Sequence, residues 1–403
     1  MQTNNIKYIN YSAAFVPEGC NKVGVPALTY GAGQDTGSLY TFAEANNITF
    51  IGGSARTVGA AGGWLQGGGH SILSNTYGLG VDRALQFRVV TPDGRFRIAN
   101  VCQNQDLFWA LRGGGGGTFG VVLEATSQVV PNKVATIALS WQLTPSPENI
   151  RSFFTILVQN SLRWSQEGWG GYLTATASLL ANPKLNATQA AESLMPLTNY
   201  LKNVSDQAGK GTQAQWSQYS SLLELLSASL AGADALGPGK ATMASRLIPK
   251  SAFSPPNSTA LLDAMLKSWS TADSAWYMMV TPFSYQPPNS EQGKTSVTPA
   301  WRGAVWHAIT AASWSWDSGT DEAKKAYAKA SSAINPLRAI TPGSGAYQNE
   351  ADVYEPGAEA SFWGFNYPKL YAIKQKYDPD GLLDCWHCVG WKGKSTPIAS
   401  CYL

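Results

Sequence analysis

Charge is what this sequence has least of. Asp, Glu, Lys and Arg make up 14% of its 403 residues, and 29 basic against 26 acidic side chains leave a formal net charge of +3. No long Lys/Arg run breaks that balance, so nucleic acid is not an expected partner. Long apolar runs are missing too. The richest, LLELLSASLAGADAL, is interrupted by Glu, Ser and Gly. Without a span of about 18 apolar residues, no membrane-crossing helix is expected. Cysteine is sparse: Cys20, Cys102, Cys385, Cys388 and Cys401. The C-W-H-C at 385–388 has the spacing of half a zinc site, but no second Cys/His pair stands at ligand spacing. Structural thiols or one or two disulfides are therefore expected rather than a metal. The opening MQTNNIKYINYSAAF has no charged stretch followed by an apolar one, and no signal peptide is read there. Sequons at Asn10, Asn47, Asn186, Asn203 and Asn257 permit secretion without arguing for it.

Apolar side chains and glycine are what the chain has instead. Hydrophobic residues reach 44%, aromatics 11%, and glycines number 40, the composition of a compact protein with a sizeable core and room for roughly two or three domains. From 27 to 52 the pattern reads strand, helix, strand, with Thr36 as the helix cap. ALQFRVVTPDGRFRIA reads as a hairpin with Leu85, Phe87 and Val89 on one face and a turn at Pro92, Asp93 and Gly94. NQDLFWAL predicts a short helix and GVVLEAT a strand, and this first region ends at Pro131. Ser146 and Pro147 open a long helix. Further helices are predicted at 187–201, 213–230 and 257–269, with strands in WGGYLTATASL, AWYMMVTPFS and GAVWHAITAASWSW. That alternation predicts an antiparallel sheet covered by helices on one face, an α+β fold. Near the end, Asn366 and Pro368 predict a helix start, and Asp378, Pro379, Asp380 and Gly381 its stop.

Two glycine runs stand apart: GGWLQGGGHS at 62–71 and LRGGGGGTFGVV at 111–122. Residues 115–120 satisfy G-x-G-x-x-G, but a helix precedes them and a strand follows, the inverse of the order a nicotinamide dinucleotide site needs. Dense glycine next to strands lets a large flat or anionic ligand approach backbone N–H groups.

The stretch TVGAAGGWLQGGGHSILSNTYGLGVDRALQFRVVTPDGRF, followed by NQDLFWALRGGGGGTFGVVLEAT, resembles the PCMH-type FAD-binding domain of berberine-bridge-enzyme-like flavoproteins in the vanillyl-alcohol-oxidase superfamily. The tail FWGFNYPKLYAIKQKYDPDGLLDCWHCVGW is similar to that family's C-terminal segment, and the overall pattern to fungal FAD-linked oxidases of the isoamyl alcohol oxidase type. The resemblance implies an FAD-binding domain over 1–131, a substrate domain over 132–345 and a C-terminal segment over 346–403 that returns to the FAD domain. It implies FAD as cofactor, held by Gly59, Gly62, Gly63, Gly67, Gly69 and His70 on the first loop and by Gly120 and Val121 beyond the second. It also implies a preceding α/β subdomain of roughly a hundred residues, carrying a covalent histidine, that lies outside this sequence. His70 is expected as a flavin-contacting rather than a covalent residue. Ala55 stands where doubly linked members carry cysteine, so no cysteinyl linkage is expected.

The expected partners are a small-molecule alcohol, sugar or secondary metabolite, and oxygen as electron acceptor. AYQNEAD resembles the family's Y-x-N strand, which makes Tyr347 and Asn349 the leading catalytic pair. His307, sharing a strand face with Val305, Ile309 and Ala311, is the next candidate for acid–base work, with Asp317 ranked below it. Two readings stay open: an FAD-dependent oxidase, or a non-catalytic remnant that keeps the fold and does not retain FAD.

Overall fold

The computed structural model describes residues 3–144, 146–208, 214–230, 239–287 and 293–393. Its first part carries strands β1 (Ile9–Phe15), β2 (Val25–Gly31), β3 (Ile48–Thr49), β4 (Ala84–Val90), β5 (Phe96–Asn100), β6 (Val121–Gln128) and β7 (Val130–Pro131). Five of these form an antiparallel sheet in the order β1-β2-β6-β4-β5, while β3 pairs with β7. Helix Thr36–Ala45 is capped by Asp35 rather than Thr36: the Asp35 carboxylate accepts the Ser38 N–H at 2.7 Å. The β4–β5 hairpin is present, but Leu85 falls in a register shift between Ala84 and Gln86. The extra residue breaks the alternation expected of Leu85, Phe87 and Val89 and buries Gln86 instead.

The second part carries β8 (Thr136–Gln142), β9 (Gly170–Thr174), β10 (Ala177–Asn182), β11 (Ala214–Tyr219), β12 (Gly239–Pro249), β13 (Ser274–Met279) and β14 (Ala304–Ser315). They form one antiparallel sheet of seven strands, ordered β11-β8-β10-β9-β13-β14-β12. Side chains alternate between its faces. Leu139, Leu173, Leu180, Tyr277, Trp306 and Ala308 point into a core shared with helices Pro147–Gln166, Asn257–Thr271 and Thr320–Ile340. The expected helix-covered sheet is therefore present. Ser146 caps the long helix as anticipated, its hydroxyl accepting the Asn149 N–H at 3.1 Å with Pro147 in the first turn. The helix predicted at 213–230 is wrong in its first half. Residues Ala214–Tyr219 add to β8 as an edge strand, and only Leu222–Ser229 is helical. Pairing to β8 outweighs the weak local preference of AQWSQY.

The C-terminal segment returns to the first part. Phe362, Trp363, Leu370, Ile373, Tyr377 and Val389 join the core built around the first sheet. Two polar ties fix it there. Trp363 Nε1 donates to Gly113 O at 3.0 Å, and the buried Lys374 ammonium donates to Thr118 O at 2.8 Å, Leu383 O at 2.7 Å and Asp378 at 2.6 Å. Helix Tyr367–Tyr377 starts where expected, but Asn366 does not cap it: its amide donates to Val297 O at 2.9 Å. Cys20 pairs with Cys102, and Cys385 with Cys388. The second disulfide removes the C-W-H-C as a zinc half-site. Cys401 lies outside the described residues.

Candidate active site

The two glycine runs meet. A Cβ placed on Gly116 would lie 2.9 Å from Gly63 Cα, so the loops pack backbone to backbone. In front of Gly59, Gly62 and Gly117, in contrast, a Cβ would meet nothing within 4 Å. These glycines border open space with bare main chain, and Gly117 (φ 71°) also needs the left-handed region. Such a surface fits the close approach of a flat, multiply hydrogen-bonding ring system like the isoalloxazine of FAD. Gly120 serves differently. It lies buried against β4, where a Cβ would sit 2.5 Å from Val89 Cγ2, and Val121 begins β6 opposite Val90.

Beside this surface lies a cavity of about 940 Å³, walled by Ala55, Trp64 and His70 from the first part and by Tyr172, Ile309 and Glu350 from the rest. Tyr172 Oη hydrogen-bonds Ser54 Oγ across it, and burial pushes the Tyr172 hydroxyl up to about 12. At its edge, three stretches distant in sequence converge. His70 follows the strained pair Gly68 (φ 145°) and Gly69 (φ 77°), and its carbonyl accepts from Trp64 Nε1 at 3.1 Å. His307 is fully buried on β14. Both imidazoles face one carboxylate: His70 Nε2 lies 3.0 Å from Glu350 Oε1, and His307 Nε2 lies 2.7 Å from Glu350 Oε2. An ionised carboxylate only accepts, so each imidazole presents an Nε2–H to it. The Nδ1 atoms of both rings are buried without a hydrogen-bond partner.

Glu350 is the residue that the sequence reading missed. The Y-x-N segment is not a strand: Gln348–Glu350 form a single 3-10 turn. Three residues per turn bring Tyr347 and Glu350 to the same side, where an extended chain would have split them. The turn is pinned at both ends. Tyr347 N–H donates to Ser245 Oγ at 3.2 Å, and Arg338 donates to Asp352 at 2.9 Å and Glu355 at 2.5 Å just downstream. Asn349 reaches the glycine loop, its amide donating to Gly63 O at 2.8 Å and Tyr347 Oη at 2.6 Å. That contact explains Gly67, where a Cβ would lie 2.6 Å from the Asn349 amide nitrogen. The Tyr347 hydroxyl also accepts the Gly69 N–H at 3.4 Å. Gln348 ties the turn to both loops, donating to Gly113 O at 2.7 Å and Gly67 O at 3.2 Å. Tyr347, Asn349, His307 and His70 thus come together, with His70, His307, Trp301 and Tyr347 ring centroids 5.4–6.5 Å apart. Asp317 does not join them; it is exposed and hydrogen-bonds Ser315.

The electrostatics of the cluster follow from its burial. Desolvation works to raise the Glu350 carboxyl, but the charge and hydrogen bonds of His70 and His307 outweigh it and hold the group well below the usual carboxylate range. Burial lowers His307, against the opposing pull of Glu350. Burial and then the Glu350 charge push the Tyr347 phenol well above its ordinary value, so it stays protonated. The same three ligand-type residues bring one atom each within 4.8 Å of one another. Both carboxylate oxygens are already taken by imidazole N–H groups.

A pH dependence of stability follows. His307 and Glu350 both bind protons less readily folded than unfolded, so acid favours the unfolded chain. Stability should fall as pH drops through the ordinary histidine range near ~6.5, and again below the ordinary carboxylate value near ~4.3. Thermal melts from neutral to mildly acidic pH check this. The first loss should shrink in His307→Gln, and an equal slope in wild type and variant would refute the assignment.

A bare glycine surface beside a carboxylate held between two imidazoles, at the junction of two antiparallel sheets, fits a flavin-dependent oxidoreductase. Comparison with known proteins agrees. Residues 26–100 match the family model described as FAD binding domain, and residues 346–385 the one described as Berberine and berberine like. The chain is 37% identical to the FAD-linked oxidoreductase ffsJ of Aspergillus flavipes, over 98% of its own length and 69% of that protein. It is 36% identical to the FAD-linked oxidoreductase OXR2 of Pyricularia oryzae, over 99% of its length and 68% of the relative. Among solved structures, the VAO-type flavoprotein MtVAO713 from Myceliophthora thermophila C1 superposes with a TM-score of 0.82 at 25% identity, covering 95% of this chain and 70% of that one. The chain belongs to the FAD-linked oxidoreductases of the berberine-bridge-enzyme-like, VAO-type family, and FAD is the family's cofactor.

Proposed function

We propose that the chain oxidises a hydroxyl-bearing small molecule, with Glu350 as the group that receives the hydroxyl proton. The observation that carries this reading is the position of Glu350: a carboxylate between two imidazoles, a quarter exposed, lining the cavity beside the open glycines. FAD, when bound, supplies the acceptor for the hydride leaving the carbinol carbon, and oxygen restores it with formation of hydrogen peroxide. The glycine faces at Gly59, Gly62 and Gly117 would hold its ring.

Everything else in the chemistry belongs to side chains. A carboxylate clamped by two N–H donors is a weak base. A substrate hydroxyl that takes the place of one of those donors removes part of what holds its proton affinity down, so basicity rises as substrate arrives. His307, wholly buried, stays as the fixed donor that keeps Glu350 oriented. Because the three groups are coupled, the proton belongs to the set and not to one atom. Tyr347, a protonated phenol, and Asn349 place donors at the seam between turn and glycine loop.

The test is direct. Protein incubated with FAD should turn yellow and be bleached anaerobically by a reactive alcohol, then recover its colour in air with release of peroxide. Failure to take up FAD would leave the non-catalytic reading in its place. Asn349→Ala, which removes the N–H donors to Gly63 O and Tyr347 Oη, should slow bleaching about 5–30-fold, the worth of one or two hydrogen bonds that position the Tyr347 phenol. Its melting temperature should change little, since Asn349 is exposed. An unchanged reduction rate at normal flavin content would remove Asn349 from the site.

A further inference from the structure

The register of the seven-stranded sheet lays a graded surface away from His307. Across the strands, His307 on β14 faces Met278 on β13, which faces Tyr172 on β9, then Leu179 on β10, Ser140 on β8 and Gln215 on β11. One row along, Ile309 faces Trp276, which faces Thr174. Met278, Tyr172, Leu179, Ser140 and Gln215 all line the cavity, on the face opposite the helices. At about 4.8 Å per strand, the row from His307 runs over Met278, the Tyr172 ring and Leu179 for three strands, roughly 14 Å, with Thr174, Thr176 and Ser178 beside it. It turns wholly polar at about 19 Å, where β8 and β11 bring Ser140, Gln142, Gln215 and Ser217. The polar groups at this far end are neutral hydroxyls and amides. Among the described residues lining the cavity, His70 and Glu350 are the only histidine or charged side chains, with no Lys or Arg.

We infer that the substrate is an elongated, uncharged molecule: an apolar body some three strand widths long beside the reacting hydroxyl, ending in a neutral hydrogen-bonding group such as an amide or hydroxyl. This rests on the reading of Glu350 as the reacting end. Both parts follow from desolvation. A carboxylate or phosphate carried into this trough meets no cation among the described lining residues and faces the Glu350 charge, so it loses its hydration without compensation there. An oligosaccharide brings hydroxyls against Met278, Leu179 and Trp276, which offer them no acceptor, while the hydroxyls of Tyr172, Thr174 and Ser178 beside them are already hydrogen-bonded within the protein.

Binding tests this separately from turnover. Trp276 and Trp141 line the trough, so quenching of intrinsic fluorescence reports occupancy with or without flavin. The probes are decane-1,10-diol, which spans roughly three strand spacings, 10-hydroxydecanoate and cellotriose. The diol should bind saturably, with the acid and the trisaccharide at least tenfold weaker. Gln215→Lys, on an exposed edge-strand position, should strengthen the acid relative to the diol by tenfold or more. Equal affinity for diol and acid, tighter binding of cellotriose, no saturable binding by any probe, or no gain for the acid in Gln215→Lys would each overturn the inference. A diol that binds as expected yet neither bleaches bound FAD nor consumes oxygen would instead count against Glu350 as the reacting end, leaving the shape and charge of the trough as described.

Discussion

Glu350→Gln should lower the rate of flavin reduction by alcohol roughly 10²–10⁴-fold, the usual worth of a positioned general base. The amide is nearly isosteric and keeps one acceptor for one imidazole, so the turn at Gln348–Glu350 should hold. What it lacks is the negative charge and the capacity to take a proton. Flavin content and the affinity for an unreactive diol should therefore stay close to those of the wild type while reduction collapses. A second signature separates chemistry from packing. The Glu350 charge supports the protonated form of His307, so the pH profile of whatever activity remains should move to lower pH when that charge goes. Anaerobic stopped-flow reduction across pH measures both. A variant that reduces flavin at the wild-type rate would place the base elsewhere.

Gly170→Ala carries the largest expected effect on stability. Gly170 begins β9 where the second sheet meets the loop after His70, and a Cβ there would fall 1.8 Å from the Ile72 carbonyl oxygen and 3.2 Å from that of Met279. Neither neighbour is a side-chain end that can swing away. Backbone must move, at a cost of about 3 kcal/mol, the top of the usual range for overpacking. Unfolding midpoints in denaturant should show it. Gly303→Ala is the control: Gly303 is exposed at the end of the short helix Ala300–Gly303 with nothing within 4 Å of its Cβ position, so the change should be near neutral. If the two variants melt alike, the close approach of β9 to Ile72 is not what holds the sheets together.

The elements that read clearly in the sequence were those whose signals are local. Ser146 and Pro147 mark a helix start by chemistry within one turn, and the Asp93–Gly94 turn fixes a hairpin. Ala214–Tyr219 and Gly239–Pro249 did not read as strands, because what makes them strands is a partner far along the chain: β8 for one, β14 for the other. The site divides in the same way. The glycine runs announce close approach by composition alone, and His307 stands out as a polar residue on an apolar face. Glu350 had no such mark. One acidic residue in QNEAD looks like any loop carboxylate, and its role comes from a 3-10 turn that aims it at two of the chain's three histidines. Only the fold brings His70 and Glu350, 280 positions apart, to hydrogen-bonding distance.

The return of the C-terminal segment also sets an order of events for a chain leaving the ribosome. Gly113 and Thr118 find their partners in Trp363 and Lys374, about 250 residues later in synthesis. Contacts of such long separation close late. The first sheet and its helices can collapse early, but the second glycine loop must wait, unfinished, until Trp363 and Lys374 have emerged. Loss of a few dozen residues at that end would leave a nascent first half with an open seam and exposed apolar surface, a form prone to aggregate rather than a smaller working unit.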